Sequence, residues 1–592
     1  MAGPRVARPE KGFIVAARRG VWVVVSLIVV ASLLSAAGVW FAASFTGGRT
    51  KVPSSTALVL RLDGDLGEVE GSGLFDRFVE GPPTVRALVA AIGRAKTDKR
   101  VKGLVLEPVG GAPFWARSQE IRDAILDFRK SGKKTVAYLE YGGEQEYFLA
   151  TACEKIFLLP SSVLDVKGLA TYEVFLRGAF DKIGVAPDFV HIGDYKTAIN
   201  TFTQRGYTPA HREMTASLNH DAFEQLVQAI ATERKKSPET VRALIDEGPF
   251  IAEDALATGL VDALLYRDEV EERVGLGDED TTDFADYVRA QPPPFSFAAR
   301  PKIAVVYAVG TIASGEAPSG EIAASDTLVE YINQAADDRS VKAIVLRIDS
   351  PGGSSIASDV IWRALMLARE EKPLIVSMGY LAASGGYYIA MPGHVIVAQP
   401  GTLTGSIGIY TGKFAIGGTL AKLGASMEAV SEGKMAELDS PVRPFSDAER
   451  AKVEEQVQVF YDQFVSKVAE ARKSTPEKID AVAQGRVWTG RQAKAIGLVD
   501  ELGGLNRAVA IAKERAKIAA GADVELVVYP PRPSLFDALS HPLGQTEESS
   551  SLRSALALFA PAERRVMRQV LAPMRLLGRR EPLALMPFVF TR

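Results

Sequence analysis

Asp98-Lys-Arg-Val-Lys-Gly-Leu-Val-Leu106 returns further along the chain as Asp338-Arg-Ser-Val-Lys-Ala-Ile-Val-Leu346, an offset of 240 residues. The same offset relates Tyr147-Phe-Leu-Ala150 to Tyr387-Tyr-Ile-Ala390, Pro160 to Pro400, and Lys182-Ile-Gly184 to Lys422-Leu-Gly424. It falls only to 238 for Gly259-Leu-Val-Asp262 against Gly497-Leu-Val-Asp500. A register held over so long a stretch predicts two homologous halves. Within the second half, short apolar runs at Ala343 to Ile348, Leu374 to Met378 and Val395 to Ala398 alternate with helical spacing. Ile361, Leu365 and Ala368 carry one such pattern, and Val453, Val457, Phe460, Phe464 and Val468 another. Continuous apolar strands alternating with amphipathic helices predict an α/β fold with a largely buried sheet.

The domain boundaries follow from this reading. Residues 1–19 form a basic tail, 20–45 an anchor, 46–290 the first α/β repeat and 291–300 a linker around Gln291-Pro-Pro-Pro294. The second repeat covers 301–525 and a basic tail 526–592. The 592 residues suffice for several domains with real cores, and 47% hydrophobic with 24% charged residues exclude a disordered chain. The net charge of −3 provides no overall field for nucleic acid. One cysteine, Cys153, excludes an intramolecular disulfide framework, and the five histidines make no zinc spacing, so no metal or cofactor is expected.

The N-terminus points to a membrane. Arg5, Arg8, Lys11, Arg18 and Arg19 stand against Glu10 alone, and Val21 to Phe45 runs 25 residues without a charge. A spanning helix needs about 20 apolar residues and a cleavable signal only about 7–15, so a retained anchor is expected, although Ser35-Ala36-Ala37 imitates a cleavage site. The positive flank stays in the cytoplasm, which puts the rest of the chain on the far side, the periplasm in a bacterium.

Divergent duplicates share a backbone, so a reactive residue in one copy alone is a candidate for chemistry. Ser384, in Ala382-Ala-Ser-Gly-Gly-Tyr387, corresponds to Glu144, and Lys196, in Gly193-Asp-Tyr-Lys-Thr-Ala198, corresponds to Ala436. Each copy holds half of a possible pair. Ser384 is expected just after a strand and at the start of a helix, where the helix terminus and the Gly385 amide face a developing negative charge. A second donor is expected from the turn Asp349-Ser-Pro-Gly-Gly-Ser354. A serine nucleophile needs a base. Lys196 can serve if burial among residues such as Tyr195, Ile199 and Phe202 lowers its pKa from about 10.4 toward about 7–8. His191 or His394 is the alternative base.

Ala382-Ala-Ser-Gly-Gly-Tyr387, Thr402-Leu-Thr-Gly-Ser-Ile-Gly408, Asp349-Ser-Pro-Gly-Gly353 and Gly193-Asp-Tyr-Lys196 together resemble the long form of bacterial signal peptide peptidase A, or protease IV. The resemblance covers nearly the whole chain. It implies tandem Clp-protease/crotonase-like domains and a Ser/Lys dyad, with Ser384 as nucleophile and Lys196 as general base. Ser406 would orient that lysine, and Gly385 and Gly353 would be the oxyanion donors. A homotetramer at the bacterial inner membrane that degrades apolar peptides, remnant signal peptides among them, is implied as well. Two other readings use the same residues: a crotonase-like enzyme acting on acyl thioesters, against which the export signal argues, and an anchored scaffold with a degenerate site. The tail from Ser551 to Arg592 carries eight arginines against Glu563 and Glu581. It reads as a helical pair with a solvated basic face, or as a contact for anionic lipid or an oligomer neighbour.

Overall fold

The computed structural model describes residues 52–63, 66–69, 83–109, 115–277, 279–290, 300–317, 322–531, 582–586 and 590–591, together with Val29, Val30, Ser32 and Ser35. One compact unit is Met1–Val52 with Arg289–Pro292, in which those four residues are helical and exposed. No helix among the described residues is long and apolar enough to cross a membrane. The anchor expected at 20–45 otherwise lies outside the described residues, as do 1–19, most of the linker and the arginine-rich stretch up to 581.

The other unit, Pro53–Val288 with Pro293–Arg592, holds both halves. In the first half β1 (Thr56–Asp63), β2 (Val101–Val109), β3 (Lys134–Leu139), β4 (Lys155–Leu158), β5 (Ala263–Leu264) and β6 (Asp280–Asp283) make a parallel sheet in the order β5-β4-β3-β2-β1-β6. In the second, β7 (Lys302–Val309), β8 (Val341–Ser350), β9 (Leu374–Ala383), β10 (Val395–Ala398), β11 (Glu501–Leu502) and β12 (Glu525–Tyr529) pair in parallel in the order β11-β10-β9-β8-β7-β12. The repeated phrase is therefore a repeated strand, β2 and β8, and both sheets are wound alike. These strands are buried along almost their whole length, which is why their sequences are continuous apolar runs rather than alternating ones.

The expected helices form at Ser355–Glu371, burying Ile361, Leu365 and Ala368, and at Asp447–Ala471, burying Val453, Val457, Phe464 and Val468 and leaving Phe460 half-buried. A capping box of Ser446 and Glu449 starts the latter. One strand differs from expectation. β9 continues past Met378 to Ala383: a bulge in β9, with Gly379 to Leu381 against the single Asp349 of β8, lets Ala382 pair with Ser350, while the Leu403–Gly405 strand pairs with Leu381 to Ala383. The strand thus delivers its end directly to Ser384.

A third sheet joins the halves. Its order is Ile322–Ala324, Thr311–Ala313, Gly352–Ser354, Leu583–Leu585, Tyr410–Ala415 and Ala186–His191. The last strand belongs to the first half and runs antiparallel to Tyr410–Ala415 of the second, from Tyr410 opposite His191 to Ala415 opposite Ala186. A buried ionic cluster also ties the halves together. The Arg347 guanidinium of β8 donates at 2.9 Å to both Glu68 carboxylate oxygens and to Glu120, all three side chains almost fully enclosed. Arg117 pairs with Asp349, whose Oδ1 accepts from the Leu381 amide at 3.0 Å. First-half charges thereby pin the ends of β8 and β9, where the site is built.

Candidate active site

Ser384 occupies the single residue between β9 and the helix Gly385–Ala390, at φ 57°, ψ −114°. Left-handed backbone is unfavourable for a residue with a β-carbon and costs on the order of 1–3 kcal/mol, so the surroundings must enforce it. They do: the Ser384 amide donates to Gly405 O at 2.8 Å and its carbonyl accepts from Tyr388 N at 2.9 Å. Both main-chain groups being engaged, the hydroxyl is left for chemistry. The helix has only six residues, so the electrostatics expected of a helix terminus reduce here to the Gly385 amide itself, which has no intrahelical acceptor.

Lys196 arrives from the first half. After the Ala186–His191 strand the chain turns at Gly193, φ 87°, where a β-carbon would stand 2.4 Å from Gln484 O. The Tyr195 amide then donates to that same oxygen at 3.1 Å. Gly408 lies beside the lysine stem, its absent β-carbon 3.1 Å from Lys196 Cδ. The stem is thus led inward, and Lys196 is 1% exposed. Its Nζ lies 2.7 Å from Ser384 Oγ, 2.9 Å from Ser406 O and 3.1 Å from Ser406 Oγ. Ser384 and Ser406 are fully buried, and Ser406 is also left-handed, at φ 49°. Lys196 and Ser384 meet within one chain.

No carboxylate accompanies the ammonium position, and burial lowers the Lys196 pKa well below the ordinary lysine value. A neutral amine has two N–H donors and one lone pair. The two Ser406 oxygens accept the donors, and the lone pair is left facing the Ser384 hydroxyl. The arrangement can take a proton from Ser384 without moving a heavy atom.

The other sequence candidates fall as follows. Gly353 lies in the Gly352–Ser354 strand, and the neighbouring Gly352, φ 96°, brings the Gly385 amide close: a β-carbon there would be 2.6 Å from Gly385 N. The Gly352–Gly353 backbone therefore lies against Gly385. Glu144, the counterpart of Ser384, begins a helix behind Gly143 and accepts from Lys167 N at 3.1 Å. Ala436, the counterpart of Lys196, is exposed. His191 is exposed and contacts Gly193 O, while His394 accepts from Leu374 N at 3.1 Å, with its pKa lowered by burial. Neither hydrogen-bonds Ser384. Among the described residues no group of His, Cys, Asp or Glu is placed to hold a metal ion.

Two participants went unseen in the sequence. Gly485, between Gln484 and Arg486, is a lone loop glycine with no local signal. The second is Leu583–Leu585, paired antiparallel with Gly352–Ser354, whose partner no local pattern could reveal. Within the Ser551–Arg592 tail read as a helical pair, the described residues 582–586 and 590–591 are extended or irregular, and 551–581 lie outside the described residues.

The family described as Peptidase family S49 matches residues 127–278 and 366–519. The chain is 36% identical over 460 residues to "Serine protease SPPA, chloroplastic" of Arabidopsis thaliana, covering 76% of this chain and 68% of that protein. It is 34% identical over 468 residues to "Protease 4" of Salmonella typhi, covering 76% and 74%, and 31% identical over 496 residues to "Protease 4" of Haemophilus influenzae, covering 78% and 80%. Among solved structures, the ClpP1 N165D mutant from Listeria monocytogenes aligns at 14% identity over 35% of this chain and 94% of that one, TM-score 0.24.

Proposed function

The chain belongs to peptidase family S49 and is a serine peptidase, and from that premise we propose that Ser384 is its nucleophile and Lys196 its general base. The observation that carries the proposal is the 2.7 Å approach of a fully enclosed, carboxylate-free lysine amine to a serine hydroxyl held at a strained turn. In this reading Ser384 Oγ attacks the peptide carbonyl carbon as Lys196 Nζ takes the hydroxyl proton. The Gly385 and Gly353 amides stabilise the oxyanion, and Ser406 orients the amine. The carbon–nitrogen bond breaks, the departing amine takes the proton from Lys196, and a water deprotonated by the again-neutral Lys196 Nζ hydrolyses the acyl-enzyme.

The substrates in this reading are apolar peptides, remnant signal peptides among them. The aromatic cluster of Phe189, Phe202, Tyr410 and Phe414 along the Tyr410–Ala415 strand supports it. We read both halves as Clp-protease/crotonase-like, with the domain boundaries given above. Residues 20–45 anchor the protein in the bacterial inner membrane, and the catalytic halves face the periplasm. Assembly as a homotetramer agrees with Leu423, Met427, Val430 and Met435, apolar residues exposed along one segment. The test is hydrolysis of a fluorogenic apolar peptide by the purified full chain. Wild type cleaves, and folded Ser384→Ala and Lys196→Ala fall to background; near-normal activity in Lys196→Ala would remove the dyad.

A further inference from the structure

Gln484, Gly485 and Arg486 each give one main-chain group to the surroundings of Lys196. The Gln484 carbonyl accepts from Tyr195 N at 3.1 Å, the Gly485 amide donates to Ile407 O at 2.8 Å, and the Arg486 carbonyl accepts from Ser406 N at 2.7 Å. One tripeptide of the second half therefore holds both the residue before Lys196 and the serine whose two oxygens accept from the lysine amine. Its backbone is not at ease. Gln484, at φ 50°, and Gly485, at φ 82°, are both left-handed, and glutamine carries the β-carbon that disfavours this region. Contacts outside the tripeptide must hold the turn.

On one side they come from the helix Asp447–Ala471: Gln484 N donates to the Tyr461 hydroxyl at 3.2 Å, and that hydroxyl donates to Asp480. On the other side they come from the Arg486 side chain. Its guanidinium carbon lies 4.7 Å from the Tyr195 ring centre and 4.4 Å from that of Trp488, and its terminal nitrogens donate to the two Glu213 carboxylate oxygens at 2.6 and 2.8 Å. Trp488 is itself fixed, with Nε1 donating to Val482 O at 2.9 Å and its backbone paired with Thr404. Tyr195 and Glu213 belong to the first half, Arg486 and Trp488 to the second. The halves are thus joined one residue away from Lys196.

The residue type suits the place. A planar, delocalised cation lies against ring faces and matches a carboxylate with two parallel hydrogen bonds, and a lysine ammonium does neither. The Arg486 side chain is 14% exposed and that of Glu213 52%, so the ion pair by itself contributes little and the ring contacts set the position.

We propose that Arg486 is a positioning residue of this active site. Its guanidinium, held against Tyr195 and Trp488, fixes the Gln484–Arg486 turn, and the Arg486 carbonyl fixes Ser406 relative to the Lys196 amine. The proposal rests on the Ser384/Lys196 reading, and Arg486 acts through Ser406 rather than on the reacting atoms.

The test is hydrolysis of a fluorogenic apolar peptide by the purified full chain, comparing Arg486→Lys, Ser406→Ala and the double variant. Arg486→Lys keeps the charge and loses the planar contacts. It is expected to lower kcat by about 10- to 100-fold, the effect of a displacement of about 1 Å, with KM little changed. Its pH–rate midpoint should move downward, as that of Ser406→Ala does. Because both variants act through one hydroxyl, the losses overlap, and the double variant should stay within about three-fold of Ser406→Ala. Tyr195→Leu, which removes one ring and keeps the arginine, repeats the test from the first half and stands in if Arg486→Lys does not fold. Wild-type kcat in Arg486→Lys, or a loss that multiplies with that of Ser406→Ala and leaves the midpoint in place, overturns the proposal. Activity in folded Ser384→Ala removes the dyad reading beneath it instead.

Discussion

Gly485 and Lys196 touch through their backbones: a β-carbon on Gly485, which lies at φ 82°, would stand 2.4 Å from Lys196 N and 2.6 Å from Lys196 Cβ. No flexible side-chain end is available to yield. Gly485→Ala must therefore displace the lysine that it supports, and a misplacement of about 1 Å costs on the order of 10²-fold in rate. We expect kcat/KM for a fluorogenic peptide to fall by about that factor, with KM little changed. Unchanged kcat would mean that the lysine position is not set from this side.

The pH dependence follows from the direction of the Lys196 shift. Its pKa is depressed in the folded state by burial, so the active neutral amine forms well below the usual lysine range and kcat/KM should rise with pH through that depressed value. Stability carries the same sign. A depressed folded pKa contributes stability that is complete above the unfolded value, about 10.4, and is lost as pH falls through the folded value. Lys196→Met should therefore be inactive yet more stable than wild type near neutrality, with the gap narrowing toward pH 10. Denaturant titrations at two pH values read this out, and a gap that is constant with pH would show a charged lysine in the fold.

Ser406 supplies two of the three oxygens around Lys196 Nζ, one of them its hydroxyl at 3.1 Å. An acceptor favours the ammonium form more than the amine. Ser406→Ala should thus lower kcat by about 10- to 100-fold and move the pH–rate midpoint downward. A loss of rate with an unmoved midpoint would point to packing alone.

Arg347 compensates Glu68 and Glu120 in a place that water does not reach. Removing one partner of such a cluster strands the others, at a cost of about 3–5 kcal/mol. Arg347→Met should lower the unfolding midpoint accordingly, and adding Glu68→Gln and Glu120→Gln should recover most of the loss. Equal stability of the single and triple variants would contradict the pairing.

Since Lys196 and Ser384 meet within one chain, mixed preparations of Ser384→Ala and Lys196→Ala should remain inactive, however long they exchange subunits. Recovery toward a quarter or half of wild-type activity would require the dyad to close between chains.

The duplication, the strand positions and the Ser384–Lys196 pair were legible in the sequence because each is written in local composition or in a register between copies. β10 at Val395–Ala398 coincides with its apolar run. What stayed hidden depends on distant partners. The extension of β9 to Ala383 needs the Leu403–Gly405 strand, the role of Gly485 needs Lys196, and the seat of Leu583–Leu585 needs two strands more than 170 residues away. A short apolar tripeptide carries no trace of its address.

The sheet that receives both Ala186–His191 and Tyr410–Ala415 also sets a timetable for synthesis. Lys196 leaves the ribosome 188 residues before Ser384, and it acquires neither its burial nor its serine partners until the second half has closed over it. The Ser384–Lys196 pair therefore forms only after the second half has been made and packed against the first, and until then neither residue has the other beside it.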